Sequence, residues 1–197
     1  MQKPELLSPA GNFEKMTAAL AYGADAVYLA GRSFGMRSAA DNFSVEELWA
    51  AVDYAHTRGK KVYLTVNTMP HEDEYPALRE YLCALKGCAI DAMIVADPGV
   101  LATVRELLPD TEIHISTQAS IVSSAAAKAY AALGAKRVVL ARELTLDEIP
   151  AGKVKDYLMA SAACFPALRA REIDGVKFLD GGYSDNMPTG LAKRMGA

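Results

Sequence analysis

Short apolar runs alternate with amphipathic stretches along the first three quarters of the chain. The apolar runs are nearly continuous, which is typical of parallel strands covered on both faces. They predict strands over residues 4–8, 25–30, 60–67, 91–96, 111–116 and 136–141. The stretches between them predict helices over residues 12–22, 44–58, 73–87, 98–108 and 121–133. Strand and helix alternating in this order indicate right-handed crossovers in a parallel sheet.

A weak internal repeat supports this order. YGADAVYLAG (22–31), CAIDAMIVAD (88–97) and LGAKRVVLAR (133–142) each contain a helix end, a short turn, a strand and a closing polar residue. The repeating unit is therefore strand plus helix, which predicts a (β/α) barrel or an open doubly wound sheet. Six strands are fewer than the eight of a full barrel. The fold class that we predict is α/β, an incomplete parallel (β/α) barrel of the TIM type.

The helix starts carry their own signals. Ser44 followed by Glu47 predicts a capping box, and Asp97 before Pro98 places a cap residue ahead of a first-turn proline. Thr145 begins another predicted helix in the same manner.

The alternation ends near residues 150–152. Residues 171–180 predict a hairpin about Asp174-Gly175, and helices are predicted over residues 153–163 and after the DGGYSDNMP stretch. We therefore predict a partial barrel over residues 1–149 and a short α+β tail over residues 150–197.

Composition and charge restrict the function classes. The chain has 197 residues, of which 51% are hydrophobic and 23% charged, as in ordinary globular proteins. A net charge of −3 argues against a broad nucleic-acid-binding face, although a local basic pocket remains open. No apolar run approaches the roughly 18 residues of a membrane span, so we expect a cytoplasmic protein. The three cysteines, Cys83, Cys88 and Cys164, predict buried free thiols and no metal site, which would need four ligands.

Polar residues follow most of the predicted strands, where barrel enzymes build their pockets. These candidate binding residues are Ser8, Asn12, Arg32, Arg37, Asn67, His71, Asp97, Thr117, Gln118, Arg142 and Glu143. Guanidinium groups beside amides and hydroxyls suit an anionic or richly hydrogen-bonding ligand. Local structural roles stay open, since Asp97 can cap its helix, Asn67 can stabilise a turn and Glu143 can pair with Arg142. His114 lies between Ile113 and Ile115 in a predicted strand, and we expect it to be a hydrogen-bonded core histidine.

Residues 31–35, GRSFG, have the spelling of a hydrolase nucleophile elbow around Ser33. An elbow needs a helix directly after the serine, whereas the next capped helix here begins only at Ser44. Asp180, in the DGG string, could be the base of a Ser–Asp dyad. We expect Ser33 not to be a nucleophile and Asp180 to be a turn residue.

The first 148 residues resemble the collagenase-like peptidase family, the thirty-second of the peptidases of unknown catalytic type. The matching stretches include ELLSPAGNFEKMTAALAYGADAVYLAG, YAHTRGKKVYLTVNT, IHISTQAS and LGAKRVVLARELTLDEI. The resemblance implies a TIM-type barrel whose working face lies at the carboxyl ends of the strands. It implies proteolysis by name, and RNA hydroxylation or quinone biosynthesis by its better understood members, some of which hold an iron–sulfur cluster. The family's cysteine-bearing stretch is absent here, so no cofactor is expected.

Residues 150–197 are similar to the C-terminal part of patatin-like phospholipases, through ASAACFP, a hairpin and DGGYSDNMP. The chain therefore resembles a junction of two families. The function expected is that of a collagenase-like family protein, a protease or an RNA-modifying protein, weakly active because it is short. The alternatives are a serine acyl hydrolase using Ser33 and Asp180, and a ligand-binding remnant without turnover. Expected partners are a small molecule, a peptide or RNA, with self-association through open barrel edges.

Overall fold

The computed structural model describes residues 5–36, 42–142, 171–173 and 176–178. The chain divides into two compact units, residues 1–141 and 142–197. The first unit holds all of the helices and the parallel strands described below. The predicted boundary at residue 150, and the predicted similarity of the tail to patatin-like phospholipases, stay predictions.

The first unit contains one parallel sheet of six described strands in the order β1-β2-β3-β4-β5-β6. Each strand pairs with the next along the chain, as right-handed strand–helix units require. The strands are β1 Leu7–Pro9, β2 Ala26–Ala30, β3 Lys61–Val66, β4 Ala92–Val95, β5 Glu112–Ile115 and β6 Arg137–Val138. This is the predicted fold class, an incomplete (β/α) barrel of the TIM type.

Five helices connect these strands: α1 Phe13–Ala21, α2 Val45–His56, α3 Tyr75–Ala84, α4 Pro98–Leu107 and α5 Ser124–Ala132. The predicted caps are confirmed. The Ser44 hydroxyl accepts from the Glu47 N–H at 3.2 Å, while the Glu47 carboxylate accepts from the Ser44 N–H at 2.6 Å. Asp97 caps α4, and Pro98 occupies its first position.

The sheet buries its two faces differently. Residues such as Val27, Leu64 and Val95 point outward and form the main core with the helices. The opposite, inner face carries a smaller cluster that includes Ala26, Tyr63, Ala92 and Ile94. Only β4, among the described strands, is apolar and buried at each of its positions. The inner faces of the neighbouring strands also carry polar side chains.

The element ends differ from the predicted ones mainly at the edges of the sheet. β1 begins at Leu7 and β6 covers two residues, because each of these strands has one described neighbour. α5 begins at Ser124, later than predicted, because residues Thr117–Ala119 form a 3₁₀ turn and Ser123 caps the helix. Self-association through the edges stays a prediction.

In the second unit, the predicted hairpin is confirmed for its two strands. β7 Arg171–Ile173 and β8 Val176–Phe178 are antiparallel, with Ile173 opposite Val176. The helices predicted near residues 145, 153–163 and 189–197 lie outside the described residues, as does Cys164.

The prediction of buried thiols is wrong for one cysteine. Cys88 is buried, but Cys83 is exposed because it lies on the outward side of α3. Burial raises the pKa of the Cys88 thiol to about 11. In the described part of the chain, none of the helices has the length and apolar character to cross a bilayer.

Candidate functional site at the carboxyl ends of the strands

Asn67, directly after β3, joins three parts of the mouth of the barrel. Its Oδ1 accepts a hydrogen bond from the Met36 N–H at 3.1 Å, in the loop after β2. Its Nδ2 donates to the Ser116 hydroxyl at 3.4 Å, at the end of β5. The carboxyl ends of β2, β3 and β5 therefore surround one mouth, and the Asn67 carboxamide is occupied in holding it together.

The loop of residues 32–36 packs against the ends of β2 and β3 at the rim of this mouth. Thr68 N–H donates to the Phe34 carbonyl at 3.3 Å, which fixes the loop against the end of β3. Phe34 has a φ of 60°, a strained value for a residue with a side chain. A Cβ on Gly35 would lie 3.0 Å from the Ala30 Cβ, tighter than an ordinary van der Waals contact, so glycine favours this close approach.

This geometry gives no support to a nucleophile elbow at Ser33. The residues from Arg32 to Phe34 form bends, and the next helix, α2, begins at Val45. The helix amides that would stabilise an oxyanion are therefore not beside Ser33. Asp180 lies outside the described residues.

Two of the predicted binding residues cap helices instead. The Asn12 Oδ1 accepts from the Lys15 N–H at 2.9 Å at the start of α1. Asp97 Oδ1 accepts from the Val100 N–H at 2.9 Å and from the Tyr75 hydroxyl at 3.1 Å. The local role is thus the observed one for both side chains.

Arg32 and His71 lie exposed at the rim. The Arg32 Nε donates to the Asn42 carbonyl at 3.2 Å, and its Nη2 lies 3.5 Å from Glu47 Oε2. His71 precedes the 3₁₀ turn Glu72–Glu74, and its N–H donates to Glu74 Oε2 at 2.7 Å. Arg32, which was predicted to bind a ligand, is thus engaged with the Asn42 carbonyl and the Glu47 carboxylate.

The other predicted residues lie at strand ends without a hydrogen-bonded link between them. Ser8 is half-buried in β1, Thr117 and Gln118 belong to the 3₁₀ turn after β5, and Arg142 is exposed after β6. Arg37 and Glu143 lie outside the described residues.

The opposite end of the inner face is filled by a network around Glu5, which we call the floor. The Glu5 carboxylate accepts from the Tyr63 hydroxyl at 2.8 and 2.9 Å and from Arg137 Nη1 at 2.7 Å. Burial raises the Glu5 pKa, but the hydrogen bonds from Arg137 and Tyr63 outweigh it and leave that pKa below its ordinary value. Burial and the Glu5 charge raise the pKa of Tyr63 to about 12.

His114 completes the floor, and the prediction of a core histidine is confirmed. It is 1% exposed, its ring meets that of Tyr63 edge-on at 4.8 Å, and its Nε2 lies 3.4 Å from Glu112 Oε2. Burial and the Arg137 charge lower the His114 pKa, although Glu112 opposes them.

Sequence reasoning missed the residues of the inner face, including Tyr28, Thr65 and Ser116. One signal was available, since strand side chains alternate between faces. Counting back in twos from Asn67 reaches Thr65 and Tyr63, and the register pairs Tyr63 with Tyr28. Glu5 gave no such signal, because it precedes β1.

The described residues offer no place that fits an iron–sulfur cluster or a metal ion. Within residues 5–36 and 42–142, no three side chains of His, Cys, Asp or Glu are grouped to hold a metal. The expectation of no cofactor stays a prediction for the chain as a whole.

Comparison with known proteins adds a family. Residues 11–157 match Peptidase family U32. The tRNA hydroxylation protein P1 of Bacillus subtilis (strain 168) is 44% identical over 154 residues, which are 78% of this chain and 36% of that protein. The 23S rRNA 5-hydroxycytidine C2501 synthase of Escherichia coli (strain K12) is 41% identical over 148 residues, 75% of this chain and 22% of that protein. The chain thus spans about a third or less of the length of these two relatives.

Among solved structures, the U32 peptidase Mk0906 has a TM-score of 0.58 to this chain at 20% sequence identity. The likeness covers 70% of this chain and 58% of that one. At this identity, the likeness supports the fold alone.

Proposed function

We propose a function from the premise that this chain belongs to Peptidase family U32, to which residues 11–157 match. The proposal is that the chain supplies the RNA-facing part of the barrel in an RNA hydroxylation protein. The observation that carries it is the 44% identity to a tRNA hydroxylation protein, over 78% of this chain. The match to an rRNA hydroxycytidine synthase points to the same class of substrate.

The mouth of the barrel supports this proposal because it is organised and polar. Asn67 positions the loop of residues 32–36 through Met36 and ties it to Ser116. Arg32 is exposed after the carboxyl end of β2, where a guanidinium group suits the phosphates of RNA. Asn67 and Ser116 then orient the substrate indirectly, by holding the mouth in one shape.

The chain matches only a part of its relatives, and this bears on how much turnover we expect from it. Most of the length of the relatives has no counterpart in this chain. We therefore expect binding of RNA with weak or no turnover by the chain alone. A location in the cytoplasm, where tRNA and ribosomes are found, is part of the proposal.

The test is complementation of a bacterial strain from which the genes for its own tRNA hydroxylation proteins are deleted. Nucleosides from its tRNA are separated by liquid chromatography and identified by mass spectrometry. The chain is expected to restore a small amount of hydroxylated nucleoside, or none while still binding tRNA in a filter assay. The B. subtilis protein is the positive control. A chain that neither binds tRNA nor changes its nucleosides contradicts the proposal.

Peptidase activity, which the family name suggests, is measured on the same preparation with denatured collagen and casein. Cleavage by the wild-type chain without any binding of tRNA would favour the peptidase over the RNA-modifying protein.

A further inference from the structure

The inner face of the sheet is partly exposed on β2 and β3. Ala26 and Tyr63 are at most 2% exposed there, whereas Lys61, which precedes Tyr63 on the same face, is exposed. Tyr28, Ala30 and Thr65 are partly exposed, while the outward residues between them are buried. Solvent therefore reaches the inner face of β2 and β3 on either side of the buried Tyr63.

On β4 and β5 the exposure of this face is limited to Glu112, at the start of β5. The inward residues Ile94 and His114, and Ser116 directly after β5, are buried, at 7%, 1% and 3% exposure. The accessible surface is thus a concave strip on β2 and β3, bordered at the rim by Gly35, whose added Cβ would lie 3.7 Å from Thr65 Oγ1.

Tyr28 is the aromatic side chain on this strip. Its ring packs beside the apolar floor cluster and stands in register with Tyr63. Its hydroxyl makes no hydrogen bond to any described residue, whereas the Tyr63 and Tyr75 hydroxyls are bonded to Glu5 and Asp97. The Thr65 hydroxyl is engaged too, since it donates to the Leu29 carbonyl at 3.1 Å.

We propose that Tyr28 is a stacking platform for one nucleobase of an RNA strand, inserted through the mouth onto the inner face of β2. This inference rests on the proposed function for the kind of ligand, and on the exposure of the strip for its place. An enzyme that modifies a base must take it out of the stack, and an aromatic face of this size compensates for lost stacking.

The experiment uses the full chain and a seven-nucleotide single-stranded RNA with 4-thiouridine at its centre, crosslinked by near-ultraviolet light. Trypsin releases residues 16–32 as one peptide, which contains both Tyr28 and Tyr22. The crosslink is expected on this peptide or on residues 33–36. Crosslinks found only elsewhere overturn the proposal without the use of any variant.

Three variants make the assignment specific. Tyr28→Leu is expected to weaken RNA binding about tenfold and to remove the crosslink, because one base–aromatic stack is lost. Tyr28→Phe keeps the ring and is expected to bind within about twofold of wild type, since the stack depends on the ring. The matched control is Tyr22→Leu, in the same peptide but 54% exposed at the end of α1, which leaves binding unchanged.

The result can separate this inference from the proposed function. Uridine 5′-monophosphate should compete with the RNA, while ribose 5-phosphate, which lacks the ring, should not. Equal competition by the two, or a Tyr28→Leu chain that binds like wild type with an unchanged circular dichroism spectrum, overturns the stacking site alone. Failure of the wild-type chain to bind any RNA overturns both.

Discussion

The Glu5 carboxylate is the group whose removal tests the floor of the barrel most directly. It accepts hydrogen bonds from Tyr63 on β3 and Arg137 on β6, and it lies 3.9 Å from Lys61 Nζ. Because Glu5 precedes β1, the network joins the two edge strands of the described sheet through its middle. Glu5→Ala leaves the Tyr63 hydroxyl, on a residue 2% exposed, without its acceptor.

The magnitude follows from the burial of each partner. An unsatisfied buried hydroxyl costs about 1–3 kcal/mol. The Arg137 side chain is 41% exposed, so loss of its ion pair adds at most about 1 kcal/mol. We expect Glu5→Ala to lower the free energy of unfolding by about 2 kcal/mol and Tyr63→Phe by about 1 kcal/mol. The double variant should cost about 1 kcal/mol less than their sum, because both changes remove the same bond.

The assay is urea unfolding at pH 7, followed by far-ultraviolet circular dichroism. The pH dependence gives a second readout. The pKa of Glu5 is lower in the folded chain than its ordinary value of 4.5, so its contribution is complete above that pH and is lost as the pH falls below it. The stability difference between wild type and Glu5→Ala should shrink in acid.

A control carboxylate is Glu106, which pairs with Arg79 on the exposed surface of the helices. Glu106→Ala should change stability little. Additive effects of Glu5→Ala and Tyr63→Phe to within about 0.5 kcal/mol would refute the reasoning, since independent sites add.

The remaining predictions concern the core and the mouth. The free energy of unfolding should fall as the pH drops from 7 towards 5, because burial and the Arg137 charge hold the pKa of folded His114 below 6.5. In urea titrations at several pH values, His114→Gln should remove the part of this fall that comes from protonation of His114. Asn67→Asp should keep the Met36 N–H protected from hydrogen exchange, because a carboxylate oxygen can accept its hydrogen bond as the Asn67 Oδ1 does. Asn67→Ala removes the acceptor and should leave the Met36 N–H unprotected. Tyr81→Phe should leave thermal stability unchanged or raise it, because the buried Tyr81 hydroxyl has no hydrogen-bond partner among the described residues. A clear loss of stability would show that this hydroxyl is hydrogen-bonded in solution.

The parts of the fold that sequence predicted are those set by local chemistry. Ser44 and Asp97 cap helices with side-chain oxygens a few residues from the amides that they accept from. The hydrophobic runs gave the strand order, because each strand pairs with its successor. β6 was predicted too long because pairing at an edge depends on a neighbour, which hydrophobicity alone does not supply.

The parts of the site that sequence missed depend on contacts between distant residues. Glu5 and Arg137 are 132 positions apart, and their bond forms only because the sheet curves. Asn67 was predicted as a ligand group, but its partners Met36 and Ser116 are 31 and 49 residues away. A polar residue at a strand end gives the same local signal whether it binds a ligand or holds the mouth together.

Two groups of side chains on the inner face should therefore respond differently to substitution. At the floor, the polar side chains of Glu5, Tyr63 and Arg137 are already bonded to one another, so changes there act on stability. Beside Tyr63 on β2, Tyr28 is partly exposed and its hydroxyl makes no hydrogen bond to a described residue, so changes there should act on binding with little loss of stability. A remnant without a ligand would show only the first effect. Separation of the two effects between these neighbouring side chains is thus what distinguishes a binding surface from a folded fragment.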